Sequence, residues 1–297
     1  MPQILTHTIT AAPGADGANG FDGQGFPGGR LTLATGDPLP TTDQLAKTTV
    51  YYTPYIHAFV NLYDGANWTT NLVSGEKSVA VPSTTNTPFD VFGFLSAGDL
   101  ALETLNWTND TTRATGLARQ DGFWVKSGDA SRLYLGTGRT TGSSGQCEDS
   151  AARRLLWNAL NHKERKVSKV ITATGYTYNT ASMRSVNADT TFRHDAICGL
   201  VGSSWMELNM LIFCTSTVAT FVASSGIGVG STTVNSAKTP TFEVGIANAG
   251  MMMQARLQDY MPLGYQFYQA LERGGGGAGT YTWFNGADRG IYGWIVA

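Results

Sequence analysis

The densest group of reactive side chains in this sequence lies between residues 194 and 204. His194 and Asp195 precede Cys198, and Ser203 and Ser204 follow. A nucleophilic site needs a Ser or Cys beside a base that a third group orients, and these residue types meet that need. Neighbours on a strand point to opposite faces, so closeness in sequence does not bring the side chains together. We expect His194 to be an ordinary strand residue and predict no catalytic residue.

Two pairs of acidic residues have the chemistry that glycoside hydrolysis requires. Asp189 with Asp195, and Asp99 with Glu103, each supply two carboxyl groups. Several acidic residues of the chain, Asp99 among them, stand beside glycine, where turn formation accounts for them. We therefore interpret these carboxylates as structural and predict that the chain is not an enzyme.

No metal or cofactor site is predicted. The histidines and cysteines lack the spacing of metal ligands or of a disulfide framework, and they are His7, His57, His162, His194, Cys147, Cys198 and Cys214. Residues 226–230 alternate glycine with Ile or Val, but no predicted helix follows to direct its amino terminus at a phosphate. The cysteines are interpreted as small hydrophobic residues in a reducing compartment.

Aromatic residues near predicted loops offer one binding hypothesis. Tyr281 and Trp283 are candidate contacts for a sugar ring, because an aromatic face packs well on apolar surface. The alternative is that both rings are buried in a strand, which is the more common position of Trp.

The low charge content of the chain limits the kinds of partner that it can bind. Charged residues make up only 14% of the 297 residues and the formal net charge is -2, so no electrostatic field attracts nucleic acid. The longest apolar runs are too short to cross a bilayer, and no secretory leader is recognised. We expect a soluble chain made in the cytoplasm, with no nucleic-acid partner and no membrane insertion.

The elements begin with a Gly-rich arm over residues 1–29. Gly14, Gly17, Gly20 and Gly23 repeat with the triplet period of collagen, and Phe26 and Pro27 follow. Four repeats are too few for a stable triple helix alone, so a flexible arm is the alternative. In either case the arm is predicted to be an anchor.

Residues 30–166 are interpreted as a β-sandwich domain. Short strands alternate with turn signals at intervals of 8 to 12 residues, which is typical of all-β sandwiches. The aromatic stretch 48–68 predicts two strands, with Pro54 at an edge or strand end and Asp64-Gly65 as a hairpin turn. Residues 89–95 have apolar side chains on both faces and predict a central strand.

Residues 148–166 allow two predictions. Asp149-Ser150 could cap a helix with apolar residues at helical spacing, or the same residues could form an extended connector. In residues 167–297 the strand pattern continues. It predicts a second antiparallel sandwich of the jelly-roll type. The predicted class is thus all-β, with two jelly-roll-like antiparallel sandwiches after an extended Gly-rich arm.

A series of short segments, in this order, resembles a module of structural proteins of tailed bacteriophages. The segments are RLTL (30–33), YYTPY (51–55), LYDG (62–65) with Trp68, FDVF (89–92), WTNDTTR (107–113), QDG (120–122), VKSG (125–128), YLG (134–136) and EDSA (148–151). The region that resembles the module runs from Arg30 to about Arg165, close to half of the chain. Residues 264–297 also look like the C-terminal strands of phage fibre and decoration domains.

The resemblance implies a function in the virion. Proteins of this family are fibre or decoration components that assemble as trimers, so it implies a homotrimer on the particle surface. The arm would contact other virion proteins of the capsid or tail, and the C-terminal domain would project towards the host surface and its glycans. The alternative is a tail protein that binds or degrades polysaccharide.

Overall fold

The structure is a computed structural model that describes residues 26–172, 175–219, 221–238, 242–244, 246–284 and 289–297, with only the backbone described at 221 and 242–244. Its regular elements are strands in antiparallel sheets, as the sequence predicts, and the described part contains no α-helix. Among the described residues, a 3₁₀ turn at Val186–Ala188 interrupts the strand pattern. The all-β prediction is therefore confirmed. No described helix has the length and apolar character needed to span a membrane.

The strands of the first half follow the predicted strand–turn alternation. In chain order they are β1 Gly29–Thr32, β2 Gln44–Lys47, β3 Thr49–Pro54, β4 Phe59–Tyr63, β5 Trp68–Leu72, β6 Lys77–Ala80, β7 Pro88–Ser96, β8 Asp99–Asn109, β9 Thr112–Arg113, β10 Leu117–Gln120, β11 Phe123–Lys126, β12 Asp129–Arg139, β13 Cys147–Asp149, β14 Arg153–Arg154 and β15 Leu156–Asn158.

The strands of the second half are longer in the sheet centres. They are β16 Glu164–Val170, β17 Tyr176–Thr177, β18 Arg184–Ser185, β19 Arg193–Cys198, β20 Trp205–Ser216, β21 Phe221–Val229, β22 Phe242–Val244, β23 Gly250–Tyr260, β24 Gly264–Arg273, β25 Tyr281–Phe284 and β26 Gly290–Val296.

The first half is built from a three-stranded sheet, β1-β3-β6, a seven-stranded sheet, β10-β11-β12-β7-β8-β9 with β15 beside β12, and the β4-β5 hairpin. One hydrophobic cluster joins them through residues such as Leu31, Val50, Val60 and Phe89. Strand β7 lies between β12 and β8, and Pro88 to Gly93 are buried. The prediction that 89–95 is a central strand is confirmed.

The aromatic stretch 48–68 divides between two sheets. Tyr52 in β3 is buried, and its hydroxyl oxygen accepts a hydrogen bond from the Gly29 amide at 3.0 Å. Pro54 ends β3, so its missing amide donor is tolerated there. Strands β4 and β5 form the predicted hairpin, with Gly65 at a φ of 105° in the turn. Both predictions for this stretch are confirmed.

Residues 148–166 are extended rather than helical. Strand β15 pairs with β12, so its backbone groups are satisfied across a sheet instead of along a helix. Asp149 caps nothing, because its carboxylate accepts hydrogen bonds from Arg154 at 2.9 Å and Arg165 at 2.8 Å. Consecutive Leu155, Leu156 and Trp157 are all buried, which a helix with one apolar face would not achieve. Of the two predictions, the connector matches the structure.

The second half is a sandwich of two sheets. A six-stranded sheet, β16-β26-β20-β25-β17 with β23 beside β20, faces an eight-stranded sheet, β2-β13-β14-β19-β24-β21-β22 with β18 beside β24. Strand β20 alternates strictly between half-buried and buried residues, the pattern of a strand with one face on the core. Its inward residues, such as Met206 and Leu208, join Ile197, Ile227 and Tyr268 from the opposite sheet.

The two halves share structure. Strands β2, β13 and β14 belong to the eight-stranded sheet, and β14 pairs in parallel with β19. The core of the second half also takes in Phe92, Tyr134 and Trp157 from the seven-stranded sheet. The division between residues 166 and 167 stays a prediction, with the sheets closely joined across it.

Candidate functional site

The reactive residues between 194 and 204 do not assemble a nucleophilic site. His194 is fully buried on β19 and stacks on Tyr268 with 6.1 Å between ring centroids. Its ring nitrogens lie near the backbone of Ala151 and Ala152 without a hydrogen bond of normal geometry. Burial lowers the pKa of His194 to about 3 and keeps the ring neutral.

The neighbours of His194 have structural contacts instead. The Asp195 carboxylate is ion-paired with Arg153 and Arg193, each at 3.0 Å. Burial raises the pKa of the Cys198 thiol, so the reactive thiolate is disfavoured. The Ser204 hydroxyl accepts a hydrogen bond from the Trp157 indole at 2.6 Å. These contacts orient no base towards a nucleophile.

The acidic pairs are likewise bound to basic residues. Asp99 accepts a hydrogen bond from Lys77 at 2.6 Å, and Glu103 pairs with Lys126 and Arg132, both at 3.2 Å. Asp189 accepts a bond from the Thr191 amide at 2.7 Å in a local turn. Within the described ranges, no three or more His, Cys, Asp and Glu side chains are grouped as metal ligands would be.

The predicted glycan contacts lie in the core of the second half. Tyr281 is 3% exposed and Trp283 is fully buried. The Trp283 indole donates to the Tyr178 carbonyl oxygen at 2.9 Å. Neither ring presents a face to solvent in this chain, so the structure assigns them the packing role that the sequence offered as the alternative.

The arm falls largely outside the described residues. Gly14, Gly17, Gly20 and Gly23 lie outside them, whereas Phe26 and Pro27 lie within. The Pro27 carbonyl oxygen accepts a hydrogen bond from the Asn161 side-chain amide at 2.8 Å. The Gly28 amide donates to the Phe59 carbonyl oxygen at 2.9 Å, and β1 begins at Gly29. The last residues assigned to the arm are therefore part of the folded body.

A row of four aromatic rings lies on the surface of the first half, and we call it the aromatic row. It consists of Tyr63, Trp68, Phe123 and Phe26 in spatial order. Neighbouring ring centroids are 5.4, 4.7 and 5.7 Å apart, and the rings are tilted by 42° to 54°. Phe26 is 65% exposed, and the other three rings are half-buried. The row therefore offers a continuous apolar strip that water reaches.

Two hairpins hold the aromatic row. In the β4-β5 turn, the Asp64 carboxylate accepts hydrogen bonds from the Ala66 and Asn67 amides at 2.8 and 2.7 Å. These bonds to the ionised form lower the pKa of Asp64. The two-residue turn between β10 and β11 is Asp121-Gly122, with φ angles of 49° and 92° as a type I′ turn requires. Tyr63, Trp68 and Phe123 project from the strands of these hairpins, and Phe26 precedes β1.

Polar groups border the aromatic row at the β10-β11 turn. The exposed Asp121 carboxylate accepts hydrogen bonds from the Trp68 indole at 3.0 Å and from the Gln120 amide at 2.7 Å. The Arg119 guanidinium lies 4.0 Å from the Trp124 ring centroid and donates to the Gly122 carbonyl oxygen. An oriented carboxylate and an oriented guanidinium thus stand beside the strip.

Cavities adjoin the aromatic row. One, of about 220 Å³, is lined by Phe26, Phe123, Trp124 and Leu200 among others. A second, of about 460 Å³, shares Trp124 and Leu200 with the first and is mainly apolar. Trp124 of β11 therefore borders both cavities, and the larger of them is an open apolar groove.

A second candidate surface is the outer face of the six-stranded sheet, which we call the outer sheet face. Trp205, Phe213 and Trp294 are half-buried there, Met252 is 47% exposed and Tyr260 is 54% exposed. Trp205 and Tyr260 make an edge contact at 5.1 Å.

Charged side chains lie among these apolar ones. Glu207 pairs with Arg256 at 3.0 Å and accepts a hydrogen bond from Gln258 at 2.8 Å. Those hydrogen bonds lower the pKa of Glu207. The outer sheet face therefore combines exposed apolar area with both charges, a mixture that suits contact between copies of one chain.

Sequence reasoning missed both surfaces. The signal for the aromatic row was present in the two turn motifs, Asp64-Gly65 and Asp121-Gly122, each followed within three residues by an aromatic residue. What could not be read is that the two hairpins stand side by side. The outer sheet face depends in the same way on the pairing of β20 with β23 and β26.

Comparison with known proteins gives only distant similarities. No protein-family model matches the sequence, and no curated protein matches it significantly. Among solved structures, the insecticidal delta-endotoxin Cry8Ea1 of Bacillus thuringiensis aligns over 91% of this chain and 51% of its own, at 10% identity and a TM-score of 0.24. Infectious bursal disease virus, Gx strain, aligns over 87% and 76% of the two chains, at 12% identity and a TM-score of 0.25. The chain spans about half of the endotoxin's length, and neither similarity supports an inference about function.

Proposed function

We propose that this chain is a non-enzymatic structural protein of a tailed-bacteriophage particle, a homotrimeric fibre or decoration component on the particle surface. The arm would bind capsid or tail proteins, and the second half would project towards the host. The ordered segments between residues 30 and 151 support the phage origin through their resemblance to that family. The all-β fold supports a structural role, because sheet-rich assemblies unfold slowly.

The outer sheet face is the observation that carries the assembly. Five large apolar side chains are partly exposed on one face of this sheet, with Trp205 and Tyr260 at one end of the β20-β23 pair and Phe213 and Met252 at the other. Exposed apolar area of this kind supports contact with another chain. The Glu207 and Arg256 pair places both charges within the patch. Around a threefold axis this face would meet a neighbouring copy in a heterologous contact, where a patch with both charges offers opposite-charge partners.

The non-enzymatic part of the proposal rests on how the reactive side chains are bound. Asp195, Asp99 and Glu103 are each paired with basic residues, and His194 is buried and neutral. Among the described residues, these contacts leave the sequence candidates without the geometry that acid, base or nucleophile chemistry needs.

The oligomeric mass tests the assembly. We expect light scattering at micromolar concentration to give three times the chain mass of 31.7 kDa. Replacing Met252 and Tyr260 together by Glu places two charges in the outer sheet face and should yield monomers. Leu95→Glu, at an exposed position on β7, adds the same kind of charge elsewhere and should leave the trimer intact.

Two results would contradict this assembly. A monomeric mass for the unmodified chain would contradict the trimer. A trimer that survives both Glu substitutions would move the interface away from the outer sheet face.

A further inference from the structure

We propose that the aromatic row is a binding site for a neutral glycan. This goes beyond the proposed structural function and does not depend on it, since the row lies on the first half and the outer sheet face on the second.

The geometry of the rings is the first part of the argument. Tyr63, Trp68, Phe123 and Phe26 follow one another at centroid distances of 4.7 to 5.7 Å, and each ring is partly open to water. Exposing four adjacent rings is unfavourable unless something covers them. The C–H faces of pyranose rings are flat and apolar, so successive sugars of one chain match a strip of successive rings.

The polar border is the second part. Sugar hydroxyls need acceptors and donors at fixed positions beside the apolar contact. The Trp68 indole and the Gln120 amide hold the Asp121 carboxylate from two sides, through one of its oxygens. Asp121 is exposed, so its carboxylate can also accept a hydrogen bond from a ligand hydroxyl. Because two hydrogen bonds orient this carboxylate before any ligand arrives, little ordering entropy is lost on binding.

Charge decides which glycan is favoured. Asp121 is an exposed carboxylate at the edge of the row, and it would repel the carboxylates of an acidic polysaccharide. Arg119, the nearest basic side chain on the same hairpin, is engaged by the Trp124 ring and by the Gly122 carbonyl oxygen. A neutral hexose chain therefore fits this border better than a uronic acid polymer.

The open shape of the site favours a polymer over a free sugar. The row is a strip rather than a closed pocket, and the cavity of about 220 Å³ beside Phe26 and Phe123 adjoins it laterally. An extended chain would lie along the rings, and a branch would enter the cavity. Several weak ring contacts along one chain add up, whereas a monosaccharide would make only one.

Native gel electrophoresis with polysaccharide in the gel tests the site. The probes are dextran, mannan and galactan as neutral polymers, and alginate as the acidic one. We expect at least one neutral polymer to retard the unmodified protein. Trp68→Ala should weaken that retardation about tenfold in apparent affinity, since a central aromatic contact and the Asp121 partner are both lost.

Controls separate binding from folding. Trp68 also packs against the core of the first half, so each variant is checked by circular dichroism and by its unfolding midpoint. Asp121→Asn keeps the turn, since Asn tolerates positive φ, and it should weaken retardation without changing the midpoint. Leu95→Ala removes an exposed apolar side chain outside the row and should be retarded like the unmodified protein.

Three outcomes would overturn the proposal. They are no retardation by any neutral polymer, retardation by alginate alone, and retardation that is unchanged in both Trp68→Ala and Asp121→Asn. Because the oligomeric mass is measured separately, a negative result here leaves the trimer test unaffected, and a monomeric mass leaves this test valid.

Discussion

His194 shows how burial converts a reactive residue type into a structural one. His194 lies on β19 opposite Tyr268 of the neighbouring strand β24, and the two rings stack. One charged group adds to the effect of burial, since Arg154 on the adjacent strand β14 opposes a positive charge on the imidazole. The chain therefore holds a neutral histidine where the sequence offered a catalytic base.

The neutral ring makes stability depend on pH. The pKa of His194 is lowered from 6.5 to about 3 on folding, so only the unfolded chain takes up a proton between these values. The contribution to stability is complete above pH 6.5 and falls by about 1.4 kcal/mol per unit as the pH drops towards 3. Between pH 7 and pH 5 the loss from this residue is about 2 kcal/mol.

Urea unfolding at pH 7 and pH 5 measures this term. His194→Phe keeps an aromatic ring against Tyr268 but cannot titrate, so its free energy of unfolding should fall less over the same range. The buried carboxyl groups Asp90 and Glu272, whose pKa values are raised by burial, are present in both proteins and cancel in the comparison. An equal loss in both proteins would show that His194 is accessible to protons when folded.

Two tryptophans of this chain differ in burial, and the residue type alone does not explain the difference. Trp283 is fully buried in β25, whereas Trp68 in β5 is partly open. Strand β25 pairs with both β20 and β17, while β5 pairs with β4 alone. Trp283 faces the core of the second half, whereas its neighbour Phe284 on the same strand is 36% exposed. The layer that packs on each face of a strand therefore decides the burial, and such packing is a property of elements.

At the scale of elements, β26 is the strand that joins the six-stranded sheet. It pairs with β16 on one side and β20 on the other, and Gly293 lies at the centre of both ladders. Its φ is 154°, and a Cβ there would overlap the Glu207 carbonyl oxygen. Only glycine allows this approach of the two backbones.

Gly293→Ala is therefore expected to destabilise the protein by about 2 to 4 kcal/mol, from strain and from displacement of β20. Gly277→Ala is the matched control, since nothing lies within 4 Å of a Cβ at that position. Its effect should be within about 0.5 kcal/mol. Thermal unfolding of both variants checks this. Similar midpoints for the two would contradict the close pairing of β26 with β20.

The sequence predicts strands correctly where local patterns alone determine them. Two-residue alternation and glycine turns predict β7, the β4-β5 hairpin and the general all-β class, because strand period and positive φ are local properties. Residues 148–166 were ambiguous because their apolar spacing fits a helix as well as a strand. The pairing of β15 with β12 settles the matter through contacts distant in sequence.

The candidate surfaces were less predictable than the strands. The aromatic row requires Trp68 and Phe123, 55 positions apart, to be neighbours, and no local pattern encodes that. For the same reason the sequence could not decide between glycan contact and burial for Tyr281 and Trp283, since the strands that cover them lie elsewhere in the chain. Turn residues show where rings project, but the packing of hairpins decides which rings adjoin.

For the whole molecule, the proposed account places two surfaces on one chain. The outer sheet face would join copies, and the aromatic row would remain open on the first half. Phe26 is both the first described residue and the last ring of the row, and Pro27 and Gly28 after it are hydrogen-bonded to the folded body. Removal of the arm should therefore stop before Phe26 if β1 and its contacts are to be kept.

The most direct test of the account is to locate the protein on particles. Purified phage particles whose genome encodes this chain would be labelled with gold-conjugated antibody against residues 167–297 and viewed by electron microscopy. The account predicts gold at regular positions on the outer surface of intact heads or tails. Unlabelled particles from a lysate that contains the chain in soluble form would contradict it.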